Sequence, residues 1–144
     1  MLIVASAARG GYLLSRDRQL VTMTLPNTPW VEAMRWLEAG PPSWYVLADP
    51  GHAWKYGTSV RVAGERDVYL EEVKDAALAL YSPEIAARVR ERIQDAQNFD
   101  AMTAGRAKAL ATKYDLTYLV IDRDIDLPLA YRNTRFRVYA LKNE

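Results

Sequence analysis

"SWYVLADPG", Ser43 to Gly51, decides how the rest of the chain is read. Trp44 to Ala48 is an unbroken apolar run that does not alternate with polar residues, the pattern of a β-strand covered on both faces and central in its sheet. Asp49-Pro50-Gly51 stops it, because proline offers no N–H to a ladder and glycine permits a sharp reversal. A second run of the same kind, "LTYLVIDRD" from Leu116 to Asp124, stands far along the chain. Two fully covered strands kept apart by helical patterns make an α/β order, not strands followed by helices.

The segments around these runs carry local punctuation. In "PNTPWVEAMRWLEAGPP" Thr28 can cap a helix, Pro29 suits its first position, and Gly40-Pro41-Pro42 ends it. Trp30, Ala33, Met34 and Leu37 fall on one face, with Glu32, Arg35 and Glu38 left for solvent. "TSVRVAGERDVYL" reads as short strands, Ser59 to Val62 and Asp67 to Leu70. "LEEVKDAALAL" predicts a helix burying Val73, Ala77 and Leu80. "SPEIAARVRERIQDAQ" predicts another, capped by Ser82 and burying Ile85, Val89, Ile93 and Ala96. A third helix rests on Ala107, Leu110, Ala111 and Tyr114. "RFRVYALK" alternates, with Phe136, Val138 and Ala140 on one side and Arg137 and Tyr139 on the other, so it is expected at an edge, joined through a loop from Asp122 to Thr134. The predicted fold is a small three-layer Rossmann-like sandwich, mostly parallel, with a C-terminal antiparallel edge strand.

At 144 residues the chain suits one domain, assigned to 26–144. Nineteen basic against eighteen acidic residues leave a net charge of +1, too little to attract nucleic acid, and "ARVRER" is diluted by Glu84, Glu91 and Asp95. The lack of cysteine removes disulfides, thiolate metal sites and cysteine nucleophiles, and a single histidine removes multi-histidine metal sites. Residues 1–25 open with "MLIVASAARGGYLL", too short and interrupted to span a bilayer and lacking the basic start of a signal peptide. They read either as a surface-docked arm or as the trailing end of a membrane helix, with Arg16 and Arg18 at the interface.

Ligands in such sheets collect beyond the carboxyl ends of the strands. "DPGHAWKYG" (49–57) and "DRDIDLPLAYRN" (122–133) occupy that place, so the two loops are expected to share a cleft. The ligand-binding candidates are Asp49, His52, Lys55, Tyr56, Arg61, Arg66, Asp122, Arg132 and Asn133. His52 could move a proton, Asp49 could orient it, and Lys55 and Arg61 could hold an anion. No serine elbow or second histidine completes a triad, so no catalytic residue is assigned. Asp122 to Asp126 mimics a calcium loop but has Leu127 where the glycine belongs and Asn133 at the twelfth place. Asp122 and Asp124 could hold a divalent ion against a nucleotide sugar, although a solvated turn explains them better. No metal or cofactor is implied. Arg61, Arg66, Asp67, Lys74 and Asp75 could line a polar cleft, form internal ion pairs, or pair along a helix face. Core packing accounts for Trp36 and Trp44; Trp54, in the turn, stands outside it.

In order, "TPWVEAMRWLEAG", "VLADPGHAWKYGTSVRVAGERDVYLEEVKDAALALYS" and "YDLTYLVIDRDIDLPLAYRNTRFRVYAL" resemble the C-terminal soluble domain of bacterial polytopic membrane proteins related to integral membrane glycosyltransferases that use lipid-linked sugars. The resemblance covers Pro26 to Leu141. It implies that the opening residues end a membrane helix and that the domain hangs from the bacterial inner membrane on its extracytoplasmic side. In that class the catalytic carboxylates lie upstream, in loops between membrane helices, so no catalytic role passes to any residue here. The domain would be a non-catalytic accessory to the membrane-embedded part of the same polypeptide, closing over its active site or helping to bind a glycan or lipid-linked sugar. The alternatives are an independent nucleotide-sugar-binding protein or enzyme using Asp49, His52, Asp122 and Asp124, and a purely structural interaction domain.

Overall fold

The structure, a computed structural model, describes residues 24–142; the N-terminal arm or membrane-helix end expected before Thr24 lies outside them. The chain is α/β. Helix α1 (Pro29–Glu38) leads into β1 (Tyr45–Leu47), followed by two short helices, α2 (His52–Tyr56) and α3 (Val60–Ala63), and then β2 (Asp67–Val68). Helices α4 (Glu72–Leu78), α5 (Pro83–Asp95) and α6 (Ala104–Tyr114) precede β3 (Tyr118–Ile121), β4 (Leu129–Arg132) and β5 (Arg137–Ala140). No helix among the described residues is long and apolar enough to cross a membrane.

The five strands form one mixed sheet in the order β2-β1-β3-β5-β4. β1 runs parallel to both β2 and β3, and is central as its unbroken apolar sequence requires. β5 is antiparallel to β3 and β4. The sheet is therefore half parallel, not mostly so. The C-terminal strand is also interior, because β4, expected as loop, takes the edge outside it. β4 hides in the sequence because its residues are largely exposed and carry no burial pattern.

Successive residues of the central strands feed opposite apolar clusters. Val46, Ala48, Tyr118, Val120 and Val138 pack with Trp30, Met34 and Leu37 of α1, whereas Leu47, Leu119, Ile121 and Tyr139 pack with Val89, Leu110 and Ala111 of α5 and α6. The predicted caps Thr28 and Ser82 are present, each accepting a hydrogen bond from the first turn of α1 and α5, and Thr103 does the same for α6. At the far end of α1, Gly40 is required by packing, since a Cβ there would lie 2.1 Å from the Trp44 ring. That ring stacks on Trp36 at 5.4 Å between centroids.

Two elements differ from expectation for the same reason, a tertiary partner that outweighs local pattern. The Ser59–Val62 stretch is β-branched, yet it forms α3, with Ser59 Oγ capping Val62 N–H and with Val60 and Ala63 buried against α1. The helix expected to bury Val73, Ala77 and Leu80 is α4, which stops at Leu78; all three residues are exposed and Asp75 is buried instead. The Asp67–Leu70 strand is real but short, extended by the Tyr69 N–H donating to the Val46 carbonyl at 2.8 Å.

Arg66 closes the joint between α1 and β2. Its buried guanidinium donates to the Glu65 carbonyl (2.8 Å), to the Glu38 carbonyl (2.5 Å) and to the Gly40 carbonyl, capping the C-terminus of α1. Arg66→Ala is expected to lower unfolding stability by about 2–3 kcal/mol, and Arg66→Lys to recover less than half of that, since an ammonium lacks the fork that spans three carbonyls. Urea denaturation measures both, and a lysine variant as stable as the native protein would contradict the assignment.

Candidate functional site

Parallel pairing of Val46 with Tyr118 and Leu47 with Leu119 sends the exits of β1 and β3 to the same edge of the sheet. The chain leaves β1 for β2 on one side and returns to β3 on the other, so this is a topological switch point. Asp49, Tyr56 and Asp122 do meet there, with Arg123 and Phe136. The crevice between them holds only about 10 Å³, the room of a single water. Aromatic rings occupy the rest: Trp30 lies 4.6 Å from Tyr56 and 5.2 Å from Phe136 between centroids, and Tyr56 meets Phe136 edge-on at 4.9 Å.

His52 belongs to this packing. It is fully buried, 5.6 Å from the Trp30 ring. Its Nδ1 sits 2.7 Å from the Asp49 carbonyl, and its Nε2 accepts the Val60 N–H at 3.2 Å. A carbonyl can only accept and an amide N–H can only donate, so the ring is neutral with its proton on Nδ1. Burial holds its pKa below the ordinary histidine value, outweighing the Asp49 carbonyl and the carboxylates of Glu71 and Asp49. Neither nitrogen is free to exchange a proton with a ligand. Trp30 completes the clasp by donating its indole N–H to the Thr58 carbonyl at 2.9 Å. Gly57, at φ 81°, ends α2 in the left-handed conformation this turn needs.

The turn's other charges are also satisfied internally. Asp49 accepts from the Gly51 N–H at 2.8 Å and pairs with Lys55 Nζ at 2.5 Å. Arg61 holds Asp75 through both nitrogens, at 2.9 and 3.2 Å, and reaches Glu71 at 3.4 Å. Lys74 reaches the buried Glu71 at 3.0 Å. The internal ion-pair alternative for this charged stretch is therefore the one realised. Arg66 lies apart, at the end of α1.

The second loop divides its residues among three tasks. Asn133 is a turn residue: its Oδ1 accepts from Arg135 and Phe136 N–H, and its Nδ2 donates to the Pro29 carbonyl at 2.6 Å, fastening the β4–β5 hairpin to α1. Arg132 and Arg137 both bind Asp124, at 2.5 and 3.1 Å, and together they hold its carboxyl below the usual range. Asp122 faces Arg135 at 4.0 Å, and the Arg135 guanidinium lies over the Tyr56 ring. Among the described residues no three imidazole or carboxylate groups converge as a metal site.

What projects outward from the turn is Trp54, 81% exposed. With Ala53, Gly57, Val73 and Lys74 it borders an open groove of about 340 Å³. The sequence signals Trp54 by its position in a turn, but Val73 is assigned inward because its helical spacing mimics a core stripe. Leu80 and Tyr81, after α4, are almost wholly exposed as well.

Because the folded state holds His52 neutral while the unfolded chain protonates it near its ordinary pKa of about 6.5, stability from this group is full above that value and declines as pH falls below it. The urea midpoint should therefore drop between about pH 7 and pH 5, and His52→Gln should flatten that slope; an unchanged slope would contradict a buried neutral ring. Asp75→Ala, which strands Arg61 and the Glu71 N–H, should cost about 2–4 kcal/mol, while Asp124→Ala should barely move the midpoint.

No protein-family model, curated protein or solved structure matches this chain, so what the site does has to come from its own residues.

Proposed function

We propose that the chain is a non-catalytic accessory domain of a membrane-embedded, glycosyltransferase-like protein, acting on the extracytoplasmic side of a bacterial inner membrane. One observation carries the reading: the turn 49–57 directs its polar groups inward and its tryptophan outward. Asp49 and His52 are spent on backbone and lysine partners, whereas Trp54 offers a large, stiff apolar surface of the type that anchors protein contacts. Such a loop docks; it does not transfer protons.

The occupant of that surface is the membrane-embedded part of the same polypeptide. The chain enters the described region at Thr24, and Leu25 packs onto the cluster containing Trp30, whose ring touches Tyr56, two residues from Trp54. In this reading the exposed Trp54 and the groove beside it form the docking rim. Docking there would let the rim close over a membrane-embedded active site and contribute to binding a glycan or lipid-linked sugar. The same reading takes the architecture as a small three-layer, Rossmann-like sandwich, supported by the apolar clusters on opposite faces and by the parallel β2-β1-β3 half. An independent nucleotide-sugar binder using Asp49, His52, Asp122 and Asp124 has less support, because each of these already has a partner within the fold.

The test is made on the whole polypeptide in isolated membranes. Trp54→Ala should leave the thermal midpoint of the soluble domain nearly unchanged, as an exposed substitution does, yet reduce transfer from a lipid-linked sugar donor about 10-fold or more. Fractionation of the native protein away from membranes, or full transfer activity in the variant, would overturn the proposal.

A further inference from the structure

Away from the Trp54 rim, and sharing no residue with its groove, a cavity of about 180 Å³ opens between α3, α4 and α5. Arg61, Arg88 and Arg92 line it, and Asp75 is the only carboxylate in its wall. The remaining lining is Leu78, Ile85 and Val89. We infer that this cavity is a binding site for a phosphate monoester, its phosphate held by Arg88 and Arg92 and its organic part resting on the apolar wall.

Charge balance leads to that ligand. Asp75 is fully engaged, with both carboxylate oxygens on Arg61 and one also accepting the Glu71 N–H at 2.8 Å. With Arg61 held by both Asp75 and Glu71, the charges of Arg88 and Arg92 are the two without a carboxylate partner among the described residues, and a phosphate monoester dianion cancels both where a carboxylate cancels only one. Arg88 has no hydrogen-bond or ion-pair partner among the described residues. Arg92 donates to the Tyr69 carbonyl at 2.8 Å and to the Tyr45 hydroxyl, and lies over the Tyr69 and Tyr114 rings, which fix its plane, while its Nε is buried without a partner. The two arginines are four residues apart on α5, so they project from one face, where like charges repel until an anion bridges them. Guanidinium forks match phosphate oxygens in geometry as well as charge. At about 180 Å³ the space is many times that of the strand-end crevice, room for a phosphate carrying a short carbon substituent.

The proposal stands apart from the docking role of Trp54, and neither depends on the other. It is tested by titrating the complete chain with phenyl phosphate in a calorimeter at low salt. One-to-one saturation at submillimolar concentration is expected, with inorganic phosphate binding a few-fold more weakly for want of the apolar contact. Arg88→Gln touches no partner and should fold normally, and it should weaken phenyl phosphate about 10-fold. Arg90→Gln, on an arginine of the same helix that is exposed like Arg88 but does not line the cavity, should change nothing. No saturation by about 10 mM, equal losses in the two variants, or equally tight binding of neutral benzyl alcohol would each overturn the assignment.

Discussion

A neutral imidazole buried between two backbone groups holds the exit of the central strand in place. His52 Nδ1–H reaches back to the Asp49 carbonyl and Nε2 receives the Val60 N–H, so one side chain joins the end of β1 to the start of α3. Each of those backbone groups, buried without a partner, would cost about 1–3 kcal/mol. A charged ring in the same place would cost more, which is why desolvation dominates its titration. Trp30 packs over the ring and burial of such a side chain contributes roughly 4–6 kcal/mol as an upper figure, so the clasp and the aromatic cluster stabilise each other.

The same economy governs the charges. Where a charged group is buried, it serves the backbone or a matched partner: Arg66 caps α1, and Asp75 joins Arg61 while receiving the Glu71 N–H. These positions hold α3 and α4 beside the edge of the sheet. On the β4–β5 hairpin, by contrast, Asp124, Arg132 and Arg137 pair in water, where Coulomb attraction is weak and salt screens it. The two kinds of pair look alike in a sequence and differ by their surroundings.

Satisfying polar groups inward leaves the surface of the strand-end turn to Trp54. A loop at a switch point usually keeps a crevice for ligands; here Tyr56, Phe136 and Trp30 fill it, and rigidity replaces a pocket. A stiff turn bearing one exposed tryptophan is suited to contact with another surface. The arginine-lined cavity between α3, α4 and α5 has the opposite character, charge that the fold has not balanced.

The sequence by itself determined the elements whose signals are local. The unbroken runs at 44–48 and 116–121 place β1 and β3 at the sheet's interior, and Thr28-Pro29 and Ser82-Pro83 mark helix starts that the folded chain keeps. Their physics is contained within a few residues: the period of apolar side chains, and a cap for an unpaired N–H. Only tertiary structure decided α3, β4, the inward Asp75 and the work of His52. Val60 is held in a helix by an imidazole eight positions away, β4, which has no apolar pattern of its own, by pairing with β5, and Asp75 by Arg61 from another helix. A single histidine beside an aspartate and a lysine reads equally as a reactive group or a fastener, and burial, which no local window contains, selects the fastener.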